Sequence, residues 1–164
     1  MLLIGDAAHA IVPSYGQGAN SGFEDCSVLA DCIIDCGEDW RQVFARFEAK
    51  RKPNADAIGD LALKHFHELR DLVGDREFQL RKKVELRLSE LYPDRYIPLY
   101  NLISFTNVTY VDALEREHQQ RTLLDRVMAN SGIRERLERG DPGEALDPLL
   151  SDLTMETFGQ PVAR

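Results

Sequence analysis

Met1-Leu2-Leu3-Ile4 is an unbroken apolar run stopped by Gly5-Asp6. A run of that kind suits a strand buried on both faces, as in a parallel sheet. Such a sheet needs several strands, and the neighbouring sequence offers almost none. After Ile11-Val12 comes a turn-rich patch from Pro13 to Gly18, and then helical patterns continue to about residue 92. A lone buried strand leaves backbone N–H and C=O groups unpaired, which is costly. The sequence therefore reads as the tail of a larger domain whose sheet is built by other residues. The alternative is a short N-terminal arm that pairs with Leu102 to Asn107 alone.

The 164 residues carry 20 Lys plus Arg against 28 Asp plus Glu, a formal net charge of −8. Nucleic acid is therefore not an expected partner, because phosphate contacts need a basic surface. No basic stretch precedes the apolar start, and no apolar run approaches the roughly 18 to 20 residues of a spanning helix. No membrane partner is expected either. Cys26, Cys32 and Cys36 are an odd count within one short stretch. That favours reduced thiols and a cytoplasmic location over a disulfide framework.

Periodicity predicts a first helix from about 18–21 to Cys36, ended by Gly37. Its polar side is one narrow stripe of Glu24, Asp31 and Asp35, so most of its circumference should be buried. Asp25 lies off that stripe, beside Gly22, Leu29 and Cys32, where a carboxylate needs a cation or backbone donors. A second helix starts near Asp39 and is kinked or ended by Pro53. A third runs from Asn54 to Val73, Gly74-Asp75 breaks it, and a charged helix follows from Arg76 to Leu91. Tyr92-Pro93-Asp94 reads as a turn. The β-formers between Tyr100 and Asn107 predict a strand. Helix resumes from Asp112 to about Asn130, with Gly132 as its stop, and the remainder to Arg164 is weakly patterned. The fold class expected of the isolated chain is mainly α with few strands (α+β).

The dense chemical signal is Gly5-Asp6-Ala7-Ala8-His9-Ala10, then Pro13, then Gly16-Gln17-Gly18-Ala19-Asn20-Ser21-Gly22-Phe23-Glu24-Asp25. A carboxylate just past the carboxyl end of a buried strand sits where open α/β sheets bind ligands. Glycines follow, where a backbone must approach something closely, immediately before a helix N-terminus. That terminus offers unpaired N–H groups and a positive dipole end, suited to an anion or to developing negative charge. The spacing Gly16-x-Gly18-x-x-x-Gly22 is not the dinucleotide fingerprint, which wants its third Gly one residue earlier. On spacing alone, a glycine-rich turn that merely caps a helix is an equal reading.

The complete string resembles the second flavin-binding motif of the FAD-dependent aromatic hydroxylases, in which Gly-Asp-Ala-Ala-His precedes Pro and Gly-Gln-Gly-x-Asn. The resemblance implies that Asp6 hydrogen-bonds the ribityl chain of FAD, that Gly16, Gln17, Gly18, Ala19 and Asn20 present backbone donors to the pyrimidine edge of the flavin, and that Pro13 also belongs to the cofactor site. Leu63 to Asp71, Phe78 to Glu85 and Tyr92 to Tyr100 are in turn similar to segments of the kynurenine 3-monooxygenases. That likeness covers residues 1 to about 127. It implies the C-terminal part of a larger α/β FAD-binding hydroxylase fold, with the missing N-terminal half as a partner and these residues inactive by themselves. In domain terms it implies 1–36 as the end of the FAD-binding domain and 37–131 as helices and strand completing the FAD and substrate domains. Residues 132–164 would be a polar C-terminal tail. The family's cofactors are bound FAD and NADPH as co-substrate, and its partners are O2 and a small aromatic substrate, here kynurenine-like.

Substrate contacts implied by the resemblance fall at Ser14, His65 and Tyr100. Ser14 stands where the family places Phe, Ala19 where Met is usual, and His65 where an Asn holds the amino-acid part of kynurenine. A different anthranilate- or tryptophan-derived aromatic is therefore the alternative substrate, and a non-catalytic helical binding module the alternative of another class. No side chain of the chain is expected to be catalytic, and no metal site is expected. Cys32 and Cys36 share a helical face, but packing explains buried thiols better than metal binding. His9 is expected to make a structural hydrogen bond. Lys50-Arg51-Lys52 and Arg81-Lys82-Lys83 read as solvated helix faces balanced by Glu48, Glu77 and Glu85.

Overall fold

The computed structural model describes residues 1–139 and 146–151. Helices account for all of its regular structure among those residues: α1 (Asp6–His9), α2 (Gly18–Cys36), α3 (Trp40–His67), α4 (Arg76–Leu91), α5 (Leu99–Phe105), α6 (Tyr110–Ala129) and α7 (Ser131–Arg139). A π-helical turn, Glu68–Leu72, follows α3 directly, and residues 147–151 add a further helical turn. The chain divides into two compact units. Unit 1 is Met1–Arg70 with Ile103–Leu114, and unit 2 is Asp71–Leu102 with Glu115–Arg164.

Unit 1 is built on an antiparallel hairpin of α2 and α3. Gly37 ends α2 at φ 59°, a conformation that favours glycine, and its N–H donates to the Ile33 carbonyl at 2.8 Å. Two residues later Asp39 caps α3, its carboxylate accepting from the Gln42 N–H at 3.1 Å. Arg46 pairs with Asp35 near this closed end at 3.1 Å, and Arg51 with Asp25 farther from it at 2.7 Å. Cys32 of α2 and Val43 and Phe47 of α3 form a buried cluster where the two helices meet. Leu2 and Ile4 pack against that cluster.

Four expectations from sequence are corrected here. Met1–Ile4 forms no strand, although Leu2 and Ile4 do bury part of their apolar surface on the hairpin. Nor is there a strand at 100–107: Leu99–Phe105 is α5. Pro98 pre-sets the backbone at the helix start, its carbonyl accepts from the Leu102 N–H at 3.0 Å, and Leu102 and Ile103 are buried. β-propensity is a weak preference that packing overrides. Of the two outcomes expected at Pro53, a kink or an end, the end does not occur: α3 runs through it, Trp40 to His67. Pro53 costs about 3 kcal/mol in a helix interior, and the face formed by Val43, Phe47, Ala55, Ile58, Leu61 and Ala62 buries more than enough apolar surface to offset it. Lastly, α2 is not largely buried. Among the described residues nothing covers Phe23 or Ile34, which are 71% and 79% exposed.

Unit 2 has its own core. Leu80, Val84 and Leu88 of α4 meet Tyr96, Leu123, Leu124, Val127 and Met128, joined by Ile133, Leu137, Leu146 and Leu150. Asp75 caps α4 through the Phe78 N–H at 2.8 Å, at the Gly74-Asp75 break read from sequence. Gly132 does not stop a helix but lies within α7. That helix starts where the Asn130 side chain accepts from the Ile133 N–H at 3.2 Å. Ile133 and Leu137 lie one turn apart and fall on one face, which explains why a short, highly charged stretch stays helical. Arg87 grips Asp147 with two parallel bonds of 2.8 and 2.9 Å, and Arg134 pairs with Glu77. The rest of the weakly patterned stretch lies outside the described residues.

Candidate functional site

Gly5 makes the first turn of the site. Its backbone sits at φ 57° and ψ −146°, a combination open essentially to glycine. Its carbonyl accepts from the Ala8 and His9 N–H groups at 2.8 and 3.0 Å, closing the single turn α1. Asp6 opens α1, and its exposed carboxylate accepts no hydrogen bond among the described residues. The chain then folds tightly through Pro13 and Gly16, where the Gly16 N–H reaches the Pro13 carbonyl at 3.2 Å and φ is 70°. Gly18 begins α2. A Cβ built on Gly18 would lie 4.0 Å from Asp6 Oδ1, so the two segments flank one another. The N–H groups of Gly18, Ala19 and Asn20 have no acceptor within the helix, whose first bond runs from the Ser21 N–H to the Gln17 carbonyl at 2.9 Å.

Side chains hold this loop from behind. Gln17 is buried, and its Oε1 accepts from Asn20 Nδ2 at 2.9 Å and from the Tyr110 hydroxyl at 3.2 Å. Ser14 donates to the Ala62 carbonyl of α3 at 2.7 Å. Tyr15 is buried with its ring stacked on His65, centroids 4.3 Å apart. His65 thus lies directly against the Pro13–Gly18 loop.

Beneath the turn is a buried ion cluster. Asp25 is 1% exposed and accepts three bonds at once: from the Gly5 N–H at 2.7 Å, from His9 Nε2 at 2.6 Å and from Arg51 Nε at 2.7 Å. Arg51, 5% exposed, also donates to Glu24 at 2.6 Å and to the Ser21 carbonyl and hydroxyl at 3.1 and 3.2 Å. Burial alone would push the Asp25 carboxyl up. The Gly5 N–H, Arg51 and His9 outweigh it and hold the group below its ordinary value.

Tyr110 shows the opposite balance. Burial and then the Glu24 charge push its hydroxyl up to about 12, with Arg51 opposing. A phenol held neutral in the fold contributes stability that is whole below the unfolded value of about 10 and is lost as pH rises through the folded value. Tyrosinate absorbance in an alkaline titration should show Tyr110→Phe removing a late-ionising phenol. An unchanged titration curve in that variant would contradict the burial argument.

Of the residues singled out from sequence, Asp6, Pro13, Ser14, Gly16, Gln17, Gly18, Ala19, Asn20 and His65 all lie in unit 1, on the Gly5–Asn20 segment and the α3 residue stacked on it. Tyr100 belongs to unit 2, in the first turn of α5, and is 49% exposed. His9 makes the structural bond expected of it, and Asp25 has both kinds of partner expected, a cation and a backbone donor. Cys32 is packed in the hairpin core, and the Cys36 sulfur accepts from Arg46 at 3.4 Å. The described residues contain no cluster of three or more potential metal ligands.

Arg51 corrects the reading of Lys50-Arg51-Lys52 as a solvated face, although Lys52 does pair in solvent with Asp56 at 2.5 Å. Its register with Phe47, Ala55, Ile58 and Ala62 places it on the apolar face of α3, a signal that periodicity carries. Tyr15 and Tyr110 were missed. Their partners are distant in sequence, and no local pattern announces them.

Residues 1–62 match the family model described as FAD binding domain. The chain is 45% identical over 148 residues to the kynurenine 3-monooxygenase of Christiangramia forsetii, covering 90% of the chain and 33% of that relative. It is 51% identical over 129 residues to the kynurenine 3-monooxygenase of Cytophaga hutchinsonii, covering 78% and 29%. The enzyme of the same name from Myxococcus xanthus is 53% identical over 109 residues, covering 66% and 23%. The chain thus spans a third or less of the length of these curated relatives. No described helix is long and apolar enough to cross a membrane.

Proposed function

Because the chain belongs to the FAD-dependent aromatic monooxygenases, we propose that it supplies the Gly-Asp flavin segment and part of the substrate side of a hydroxylase. The substrate is a kynurenine-like aromatic amino-acid derivative, with NADPH and O2 as co-substrates. One observation carries the reading: an uncommitted carboxylate, Asp6, flanks a helix N-terminus with three N–H groups to spare. An acceptor beside a row of donors fits a polyol chain joined to a ring edge that carries carbonyl groups.

In this reading Asp6 accepts hydrogen bonds from the ribityl hydroxyls of FAD, fixing the chain's direction. Gly18, Ala19 and Asn20 donate backbone N–H groups to the pyrimidine edge, where the positive end of α2 favours negative charge. Pro13, Gly16 and Gln17 shape the loop so that those donors converge. Bound FAD supplies the redox chemistry and the activation of O2. Ser14 and His65 contact the substrate. Neutral imidazole donates one hydrogen bond and accepts one, whereas its protonated form donates two and suits a carboxylate. With His at 65 and its ring already stacked on Tyr15, a second reading is favoured for the substrate alone: another anthranilate- or tryptophan-derived aromatic in place of kynurenine.

The test uses a hybrid in which this chain replaces the matching stretch of the Cytophaga hutchinsonii relative. It should hold flavin and hydroxylate an aromatic substrate, and Asp6→Ala should weaken FAD binding by about 1.5–3 kcal/mol through loss of a charge-assisted bond. Flavin fluorescence titration reads the affinity. Unchanged affinity removes Asp6 from the site, and a folded hybrid that neither binds flavin nor hydroxylates sinks the proposal.

A further inference from the structure

We propose that Asp25 is a positioning residue for the flavin segment, locking the Asp6 turn to the N-terminus of α2 through Gly5, His9 and Arg51. This rests on the flavin reading above. Connectivity, backbone geometry and the energetics of a buried ion pair support this role.

The first is connectivity. One carboxylate bonds the residue before Asp6, the last residue of α1 and a side chain of α3. Both of its oxygens are committed, Oδ2 to the turn and Oδ1 to Arg51. Through Arg51 the same node reaches the Ser21 carbonyl and hydroxyl, in the turn of α2 that follows the free N–H groups. The acceptor Asp6 and the donors of Gly18 to Asn20 therefore hang from a single buried pair.

The second is backbone geometry. Gly5 holds a conformation other residues avoid, and its N–H would be left without a partner if Asp25 withdrew. The Asp25 bond is what keeps the turn from relaxing. α1 is one turn long and buries no residue, so it has no core of its own to set its orientation. Its fixed points are the Gly5 and His9 bonds to one carboxylate.

The third is economy. A buried ion pair is a poor way to gain stability, since well-packed apolar residues of similar volume commonly do as well. A carboxylate on α2 that holds both ends of the α1 turn and a side chain of α3 at 2.6–2.7 Å does what no apolar residue at position 25 would do: it sets directions. Glu24 and Ser21 complete the guanidinium's partners, so the pair is held in one geometry.

The experiment uses the 164-residue chain, isotope-labelled, with flavin mononucleotide added to millimolar concentration. Amide shifts of Asp6 and Gly18 to Asn20 report binding, and hydrogen exchange at Gly5 reports the turn. Asp25→Asn should weaken the apparent affinity about tenfold, the equivalent of losing one hydrogen bond to a charged group, and should abolish Gly5 protection. His9→Ala keeps the Asp25–Arg51 pair and should show a smaller loss of both, so it decides the matter if Asp25→Asn does not fold. Val43→Ala, which loosens the hairpin core without touching the cluster, should leave flavin affinity unchanged. Equal flavin affinity in wild type and in the folded Asp25→Asn and His9→Ala variants overturns the positioning role while leaving the flavin site standing. A loss of affinity in Val43→Ala as large as in Asp25→Asn also overturns it, since stability alone then explains the effect. If the wild-type amides do not respond to flavin, or Asp6→Ala responds as wild type does, the flavin reading falls and the positioning role with it.

Discussion

Arg51→Met should cost the α2–α3 hairpin about 3–5 kcal/mol, because it leaves the Asp25 carboxylate buried without its cation. Met keeps the apolar stem of Arg51 but not the guanidinium, so the loss combines the missing charge with the bonds to Asp25, Glu24 and Ser21. Amide exchange through α2 and α3 would measure it, as would the thermal midpoint. A loss below about 1 kcal/mol, the ordinary worth of an exposed pair, would mean that solvent reaches Asp25 after all. The acid limb gives an independent check. Asp25 is held below its ordinary value, so its contribution is whole above the unfolded value near pH 4 and disappears as pH falls through the folded value. Asp25→Leu combined with Arg51→Met should recover part of the stability and flatten this acid limb. It cannot recover all of it, since the Gly5 N–H and His9 then lose their acceptor.

In unit 2 the comparable lesion is Leu88→Ala. Leu88 is fully buried among α4, α6 and α7 side chains, and truncation removes its transfer energy and leaves a cavity. About 2–5 kcal/mol should be lost, the size of that loss depending on how far Leu123, Val127 and Ile133 close in. Leu86, two residues away and exposed, is the matched control, and Leu86→Ala should change stability by no more than about 0.5 kcal/mol. Chemical denaturation of the pair would settle the comparison, and similar losses at 86 and 88 would be incompatible with the core described.

Helix was legible wherever spacing and punctuation agreed. Gly37 and Gly74-Asp75 marked real ends, and Arg76–Leu91 carried a clear apolar seam of Leu80, Val84 and Leu88. The strands were not there to be found. Met1–Ile4 and 100–107 have β-forming composition, but pairing is a non-local property, and local residue types cannot say what lies alongside. Pro53 does not end its helix for the same reason: the local penalty is real, and a burial term outside the window exceeds it. Asp25 was legible because its position on the wheel conflicted with its charge, and such a conflict has few resolutions. Arg51 is the same conflict on α3, hidden by two lysines beside it. Tyr15 against His65 joins positions 50 apart and carries no sequence signature.

The order in which the chain visits its two units bears on how it emerges during synthesis. The path runs from unit 1 at Arg70 into unit 2, back at Ile103, and out again at Glu115. Neither unit is one contiguous length of polypeptide. The α2–α3 hairpin can form as soon as it is made, but Gln17 has no Tyr110 to bond until some 40 further residues have been added, on the order of seconds at typical elongation rates. During that interval the Gly16–Asn20 loop lacks one of its supports, and α4 lacks the α6 face it packs against. Translation stopped near residue 102 would release a formed hairpin that lacks Tyr110, followed by α4 with its apolar seam uncovered, the kind of species that chaperones and proteases engage first.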